Sequence, residues 1–144
     1  MKKCLLMLSL ALLAVGAQAQ QMLAAQRIPA AVRATFKKKF PAVHHMTWEM
    51  EKGQYLAAFY QHGTTMSALI MSTGELTETE SEMATTKLPA AVRAVLARDY
   101  NAYRVIGAAT LVSAAGATTY EAEVYKAGKR HDVHFNADGS LVKK

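Results

Sequence analysis

The hexapeptide PAAVRA occurs twice, at Pro29–Ala34 and again at Pro89–Ala94. A chain that restates one helix start within so short a length reads as two copies of one unit, and this constrains the fold before any local pattern does. Aligning Ile28 to Val43 with Leu88 to Tyr103 also pairs Phe40 with Tyr100. After five extra residues in the second copy the match resumes, setting Tyr55, Ala57, Tyr60 and Gly63 against Tyr120, Ala122, Tyr125 and Gly128. Gly74 and Leu76 then fall against Gly139 and Leu141.

Each copy opens with a proline at the first helical position, where its missing N–H costs nothing and its fixed φ suits the helix. Ile28, Val32, Phe36 and Phe40 recur at every fourth residue, as do Leu88, Val92, Leu96 and Tyr100, so each helix carries one apolar stripe. Arg33 and Lys37 fall off that stripe; Pro41 stops the first helix and Asn101 ends the second. Beyond each helix the period changes to two. Met46, Trp48 and Met50 alternate with Thr47 and Glu49, and Tyr120, Ala122 and Val124 alternate with Glu121, Glu123 and Tyr125. Val133 and Phe135 alternate with Asp132, His134 and Asn136, while Lys52-Gly53, His62-Gly63, Thr73-Gly74 and Asp138-Gly139 read as turns. The expected fold is α+β: two tandem repeats, each one helix packed on an antiparallel meander of about four strands.

The boundaries follow. Residues 1–19 read as a secretory signal peptide, with Lys2 and Lys3 ahead of an apolar Leu5 to Val15 run and Ala17-Gln18-Ala19 before the cleavage point. Residues 20–27 form an N-terminal segment, 28–83 the first repeat, 84–87 a linker and 88–144 the second repeat. Export to the periplasm or beyond is expected, with no membrane insertion after cleavage. The sole cysteine, Cys4, leaves with the signal, so the mature chain is expected to hold neither a disulfide nor a thiolate site. Loss of Lys2 and Lys3 lowers the formal charge from +6 to +4. That excess is segregated: Arg27, Arg33, Lys37, Lys38 and Lys39 have no acidic neighbour, and Glu75, Glu78, Glu80 and Glu82 have no basic one. No basic stripe is interleaved with aromatics, so a nucleic-acid partner is not expected.

The pattern Pro-x-x-Val with an aromatic eight residues on, then Tyr-x-Ala-x-Val and a closing Asp-Gly-x-Leu, resembles the PepSY-like domain. The segment YEAEVYKAGKRHDVHFNADGSL carries it most specifically. A tandem pair behind a signal peptide is similar to exported bacterial proteins of the β-lactamase-inhibitor-like, PepSY-like family. The resemblance implies a small non-enzymatic protein whose two units set their sheets side by side. It also implies a binding role, since related single domains act as chaperone and inhibitor in the propeptides of secreted proteases.

The residues themselves offer no catalytic constellation. Ser67, Ser72, Ser81, Ser113 and Ser140 lack a GxSxG elbow, and the strand-mates Glu121 and Glu123 read as a solvated face. His131 and His134 are three apart on a strand, and His44 and His45 are adjacent, so each pair diverges to opposite faces. Neither a metal site nor a cofactor is expected. Met46, Trp48 and Met50 read as sheet core. One asymmetry between the copies stands out. With Tyr55, Ala57 and Phe59 facing the helix, the outer face of the first repeat carries Leu56, Ala58, Tyr60, Leu69 and Met71, all apolar or aromatic. The matching face of the second carries polar residues around Tyr125 and His134. A sheet covered by one helix layer should be apolar on one side only. Either the other repeat, the Gln20 to Arg27 segment or a second copy covers this face, or Leu56, Ala58, Tyr60, Leu69, Met71, Tyr125 and His134 form the candidate surface for an unidentified protein or peptide partner, on a monomer or weak homo-oligomer. The alternative is a small-ligand or metal-sensing periplasmic protein that uses the histidines and methionines.

Overall fold

The computed structural model describes residues 22–143, so the expected signal peptide lies outside the described residues. Helix α1 (Ala30–Lys39) is followed by strands β1 (Met46–Glu51), β2 (Gln54–Gln61), β3 (Thr64–Ile70) and β4 (Leu76–Glu82). Helix α2 (Ala90–Asp99) is followed by β5 (Arg104–Ser113), β6 (Thr118–Lys126) and β7 (Lys129–Phe135). A short 3-10 turn precedes each helix, at Ala25–Arg27 and Thr85–Lys87. Each helix starts one residue later than expected, with its proline just ahead: the Pro29 carbonyl accepts the Arg33 N–H at 3.1 Å, and the Pro89 carbonyl accepts that of Arg93 at 3.0 Å.

The expectation of two helix-on-meander repeats is corrected by the sheet. All seven strands form one antiparallel sheet in the order β1-β2-β3-β4-β5-β6-β7. β4 pairs directly with β5, from Glu78 opposite Ser113 to Glu82 opposite Ala109, so no boundary divides two sheets. The backbone groups at the edge of a four-stranded meander need partners, and the next strand of the chain supplies them. Nor does the second half complete four strands. After the turn at Asp138-Gly139 the chain returns only as a single bridge, Leu141 opposite Phe135.

One row of directly opposed residues crosses the whole sheet: Met46, Phe59, Met66, Ser81, Thr110, Tyr120 and Phe135. Opposed residues share a face, and both helices pack on this one. Val32 and Phe36 of α1 sit with Trp48, Ala57, Phe59, Ala68 and Ile70, where Phe36 meets Phe59 edge-on with ring centroids 5.1 Å apart. Val92 and Leu96 of α2 sit with Ala108, Ala122, Val124 and Phe135. The stripes read from the sequence are the buried faces of the helices; Val32 and Val92 are fully enclosed.

The turns hold the register. Lys52-Gly53, His62-Gly63 and Ala127-Gly128 join their strands with two residues each, all at positive φ, as type I′ hairpins require. The turn after β7 serves a second purpose, because buried Gly139 lies against α2: a Cβ there would stand 2.9 Å from the Ala91 carbonyl oxygen. The outer edges are partly capped. The Leu23 N–H donates to the Trp48 carbonyl of β1 at 2.7 Å, and the Val142 N–H to the His134 carbonyl of β7 at 3.0 Å.

Candidate functional site

The face of the sheet away from the helices has no layer over it among the described residues. Leu23 packs with the α1 core, so the described part of the N-terminal segment goes to the helix side. The second half of the chain extends the sheet rather than folding across it. A second row of opposed residues marks this open face: Thr47, Ala58, Ser67, Glu80, Leu111 and Thr119.

Leu56 and Leu69 are direct cross-strand partners, Ala58 and Tyr60 follow along β2, and Met71 lies just past β3. These five gather at the β2–β3 end as the sequence placed them. Tyr125 and His134 do not join them, because they stand on β6 and β7. Three strand spacings, roughly 14 Å, separate β3 from β6. Exposure also varies. Tyr60 is 69 % exposed and Met71 40 %, whereas Leu56 is buried at 5 %. Leu111 and Ala109 on β5 are buried on the same face. At the far end the Arg104 guanidinium lies 5.4 Å from the Tyr125 ring centre, and His134 Nε2 lies 3.5 Å from Glu121 Oε2.

Between and around the two groups the face is acidic, which the choice of candidate residues had not foreseen. β1 contributes Glu49 and Glu51, β4 contributes Glu78, Glu80 and Glu82, β6 contributes Glu121 and Glu123, and β7 contributes Asp132. Eight of the chain's 11 acidic residues thus share one side of one sheet. The signal was legible in LTETESE, where Glu78, Glu80 and Glu82 alternate strictly on a strand. What was missing was the register that sets Glu82 and Glu121 on either side of Ala109.

The reading of Glu121 and Glu123 as solvated is corrected as well. Glu123 is buried at 4 %, its Oε1 accepting from Arg130 Nη1 at 3.1 Å, and a Cβ on Gly107 would crowd its Oε2 at 3.2 Å. Glycine at this point of β5 gives that carboxylate room that a Cβ would narrow. Burial, reinforced by the charges of Glu80, Asp132, Glu123 and Glu78, pushes the Glu121 carboxyl up to about 8. Burial, then Glu78 and Glu51, pushes Glu80 up to about 7 against a weak opposing hydrogen bond from Ser67 at 3.5 Å. Glu51 and Glu78 are raised mainly by burial, with Lys52 pulling both down. Two carboxylate oxygens, Glu51 Oε2 and Glu82 Oε1, are buried without a hydrogen-bond partner.

The histidines stay apart. His131 is opposite Val124, in line with the helix-side core, and His134 is opposite Glu121 on the open face. Among the described residues no group of three or more His, Cys, Asp or Glu has the geometry to hold a metal ion. On the helix side, an open groove between α1 and the central strands is lined by Lys38, Lys39, Thr79, Thr110 and Val112. No helix among the described residues is long and apolar enough to cross a membrane.

No protein-family model matches the chain, so the PepSY-like resemblance rests on its residue pattern, and no curated protein matches it. Solved structures do match in fold. A DUF2874 family protein of Bacteroides uniformis superposes with a TM-score of 0.70 at 20 % identity, over 80 % of this chain and 86 % of its own. A protein of Bacteroides eggerthii, taken to be periplasmic, gives 0.69 at 20 % identity over 80 % and 86 %. A BLIP-like protein of Bacteroides fragilis gives 0.64 at 25 % identity over 80 % and 84 %. The likeness supports a β-lactamase-inhibitor-like fold.

Proposed function

We propose that this chain is an exported, non-catalytic binding protein whose open sheet face receives a segment of another protein, in the manner of an inhibitor or regulator of an envelope or secreted enzyme. The observation that carries this reading is the uncovered face itself. Among the described residues no layer lies over one side of the seven strands, and that side combines exposed Tyr60, half-buried Leu69 and Ala58, and a field of acidic side chains. A face of this kind with only solvation to satisfy would carry the alternation of an ordinary half-exposed sheet, polar throughout. An apolar patch with an exposed aromatic anchor, Tyr60, and charged residues around it has the core-and-rim composition of a docking surface. Tyr125 and His134 lie at the opposite margin, so a partner touching both groups would span the sheet. Catalysis finds less support: Ser67 has a carboxylate neighbour rather than an imidazole, at a distance too long for activation. The fold-level likeness to a BLIP-like protein and to one taken to be periplasmic favours the same reading, as does the signal peptide expected at residues 1–19.

A photoreactive amino acid placed at Tyr60 on the open face, or at Lys38 on the exposed side of α1, tests the reading in the exporting cell. Discrete protein adducts from position 60 and none from position 38 are expected. Adducts from position 38 alone, or from neither, would overturn it.

A further inference from the structure

Resting on that reading, we infer that the segment received by the open face is cationic: a stretch of another protein that lays lysine or arginine side chains across β4 and β6 while an apolar residue meets Leu69 and Tyr60. Charge complementarity carries the argument. The carboxylates of the face outnumber the cations that reach it. Ion pairs join Arg130 to Glu123, Lys52 to Glu51 at 4.0 Å, and His134 to Glu121, Asp132 has a partner as well, and Glu78 feels the charge of Lys52 without a direct ion pair to it. Glu78, Glu80 and Glu82 alternate along the middle strand of seven, opposite Leu69, Ser67, Leu111 and Ala109 rather than cations, and the charge of Glu78 adds to burial in raising the Glu80 carboxyl. Folding alone gains nothing from that arrangement, and residues that oppose local stability belong to sites where a ligand compensates them. A cation entering the face would draw the protons from Glu80 and Glu121, whose carboxyls stand at about 7 and about 8, and would then meet carboxylates partly stripped of water, where the attraction exceeds that at an open surface.

The excess is also one-sided. The exposed side of α1 carries Arg33, Lys37, Lys38 and Lys39, so the molecule is acidic on its sheet face and basic on its helix layer. A second copy could in principle set its α1 on the acidic face. Such a head-to-tail contact leaves an unmatched face and an unmatched helix on every pair, so it must go on to a ring or a filament, and a separate cationic partner is the occupant inferred.

The probe is a fluorescein-labelled lysine decapeptide, with a glutamate decapeptide as control, titrated by anisotropy against the mature protein. Binding of the lysine peptide alone is expected, weakening about tenfold or more between low and physiological ionic strength as screening shortens the reach of the field. Amide shifts should map to β4 and β6. The E78Q/E80Q/E82Q variant, which relieves repulsion and so keeps the fold, should lose the binding, whereas K37E/K38E/K39E on α1 should keep it. Equal binding of both peptides, shifts confined to α1, or binding undiminished in the glutamine variant would overturn the inference. So would self-association in the ultracentrifuge that K37E/K38E/K39E abolishes. The in-cell adduct from position 60 separates the two readings. Its persistence at full yield in E78Q/E80Q/E82Q sinks the cationic partner and spares the docking face, while its absence from the unsubstituted face sinks both.

Discussion

Glu80 and Glu121 make stability depend on pH in a direction opposite to that of most carboxylates. Their folded-state carboxyls stand at about 7 and about 8, above the ordinary 4.5. The folded chain therefore binds more protons than the unfolded one, and the stabilising contribution is complete below pH 4.5 and disappears as pH rises through 7 and 8. The groups facing them are Glu51 and Lys52 from the β1–β2 hairpin, Glu78 on β4, Glu123 on β6, and Asp132, His134 and Arg130 on β7. At about 1.4 kcal/mol per unit of pKa difference, the melting temperature should fall by several degrees between pH 5 and pH 8. The E80Q/E121Q variant should flatten that slope and melt higher at pH 8; an unchanged slope would show that the two carboxyls are not displaced. A second contrast belongs to the same face. Leu56→Ala should cost about 2–5 kcal/mol, since its side chain is enclosed, whereas Tyr60→Ala at an exposed position should change stability by roughly 0.5 kcal/mol or less. Denaturant melts of the two variants separate a structural residue from a binding one.

The helices depend on single points of contact with the sheet. Each is ten residues long, too short to persist alone in water, so each is held by the residues it buries. Val32→Asp or Val92→Asp would set a charge in a fully enclosed position without a partner, and each should abolish cooperative melting. Native-like transitions in both would show that the stripes do not face the sheet. The turn before Ser140 makes the same dependence visible from the other side. Gly139→Ala combines a positive φ of 85° with a contact 2.9 Å from the Ala91 carbonyl, and backbone cannot retreat as a flexible side chain would. A loss larger than about 1 kcal/mol is expected, read as a lower denaturant midpoint; a neutral result would mean that α2 can shift away from the turn.

Across the whole molecule, the pairing of β4 with β5 joins two separate buried clusters, one under each helix, through a shared ladder of backbone hydrogen bonds. Separating that ladder would leave one edge of β4 and one edge of β5 without partners in solution, so the halves should unfold together. Calorimetry should show one transition whose measured enthalpy equals its van't Hoff value, and Val92→Asp should take the first half down with the second. Two resolved transitions would show the halves to be independent. The same continuity gives the molecule its polarity, because a single sheet with both helices on one side gathers the carboxylates of β1, β4, β6 and β7 onto the other.

What could be read from the residues is what depends on local period. The four-residue stripes became the buried helix faces, the two-residue alternation gave the in and out faces of β1, β2, β6 and β7, and the Lys52-Gly53 and His62-Gly63 turns set two of the registers. These follow from chemistry between near neighbours, where spacing alone settles direction. The Leu56 and Leu69 pairing at the candidate surface was legible for the same reason. Tertiary structure alone decided that the two halves share one sheet, since nothing local says whether an edge strand meets water or the next strand of its own chain. It also decided burial on the open face. β5, a ten-residue strand whose Val105 to Ala109 stretch is apolar without alternation, lies inside the sheet and places Leu111 and Ala109 amid the acidic rows. Glu121 and Glu123 alternate as solvated residues should, yet the neighbours that remove their water come from β4, β5 and β7. Desolvation is a property of everything that surrounds a group, and so the acidic face appears only when distant strands are brought into register.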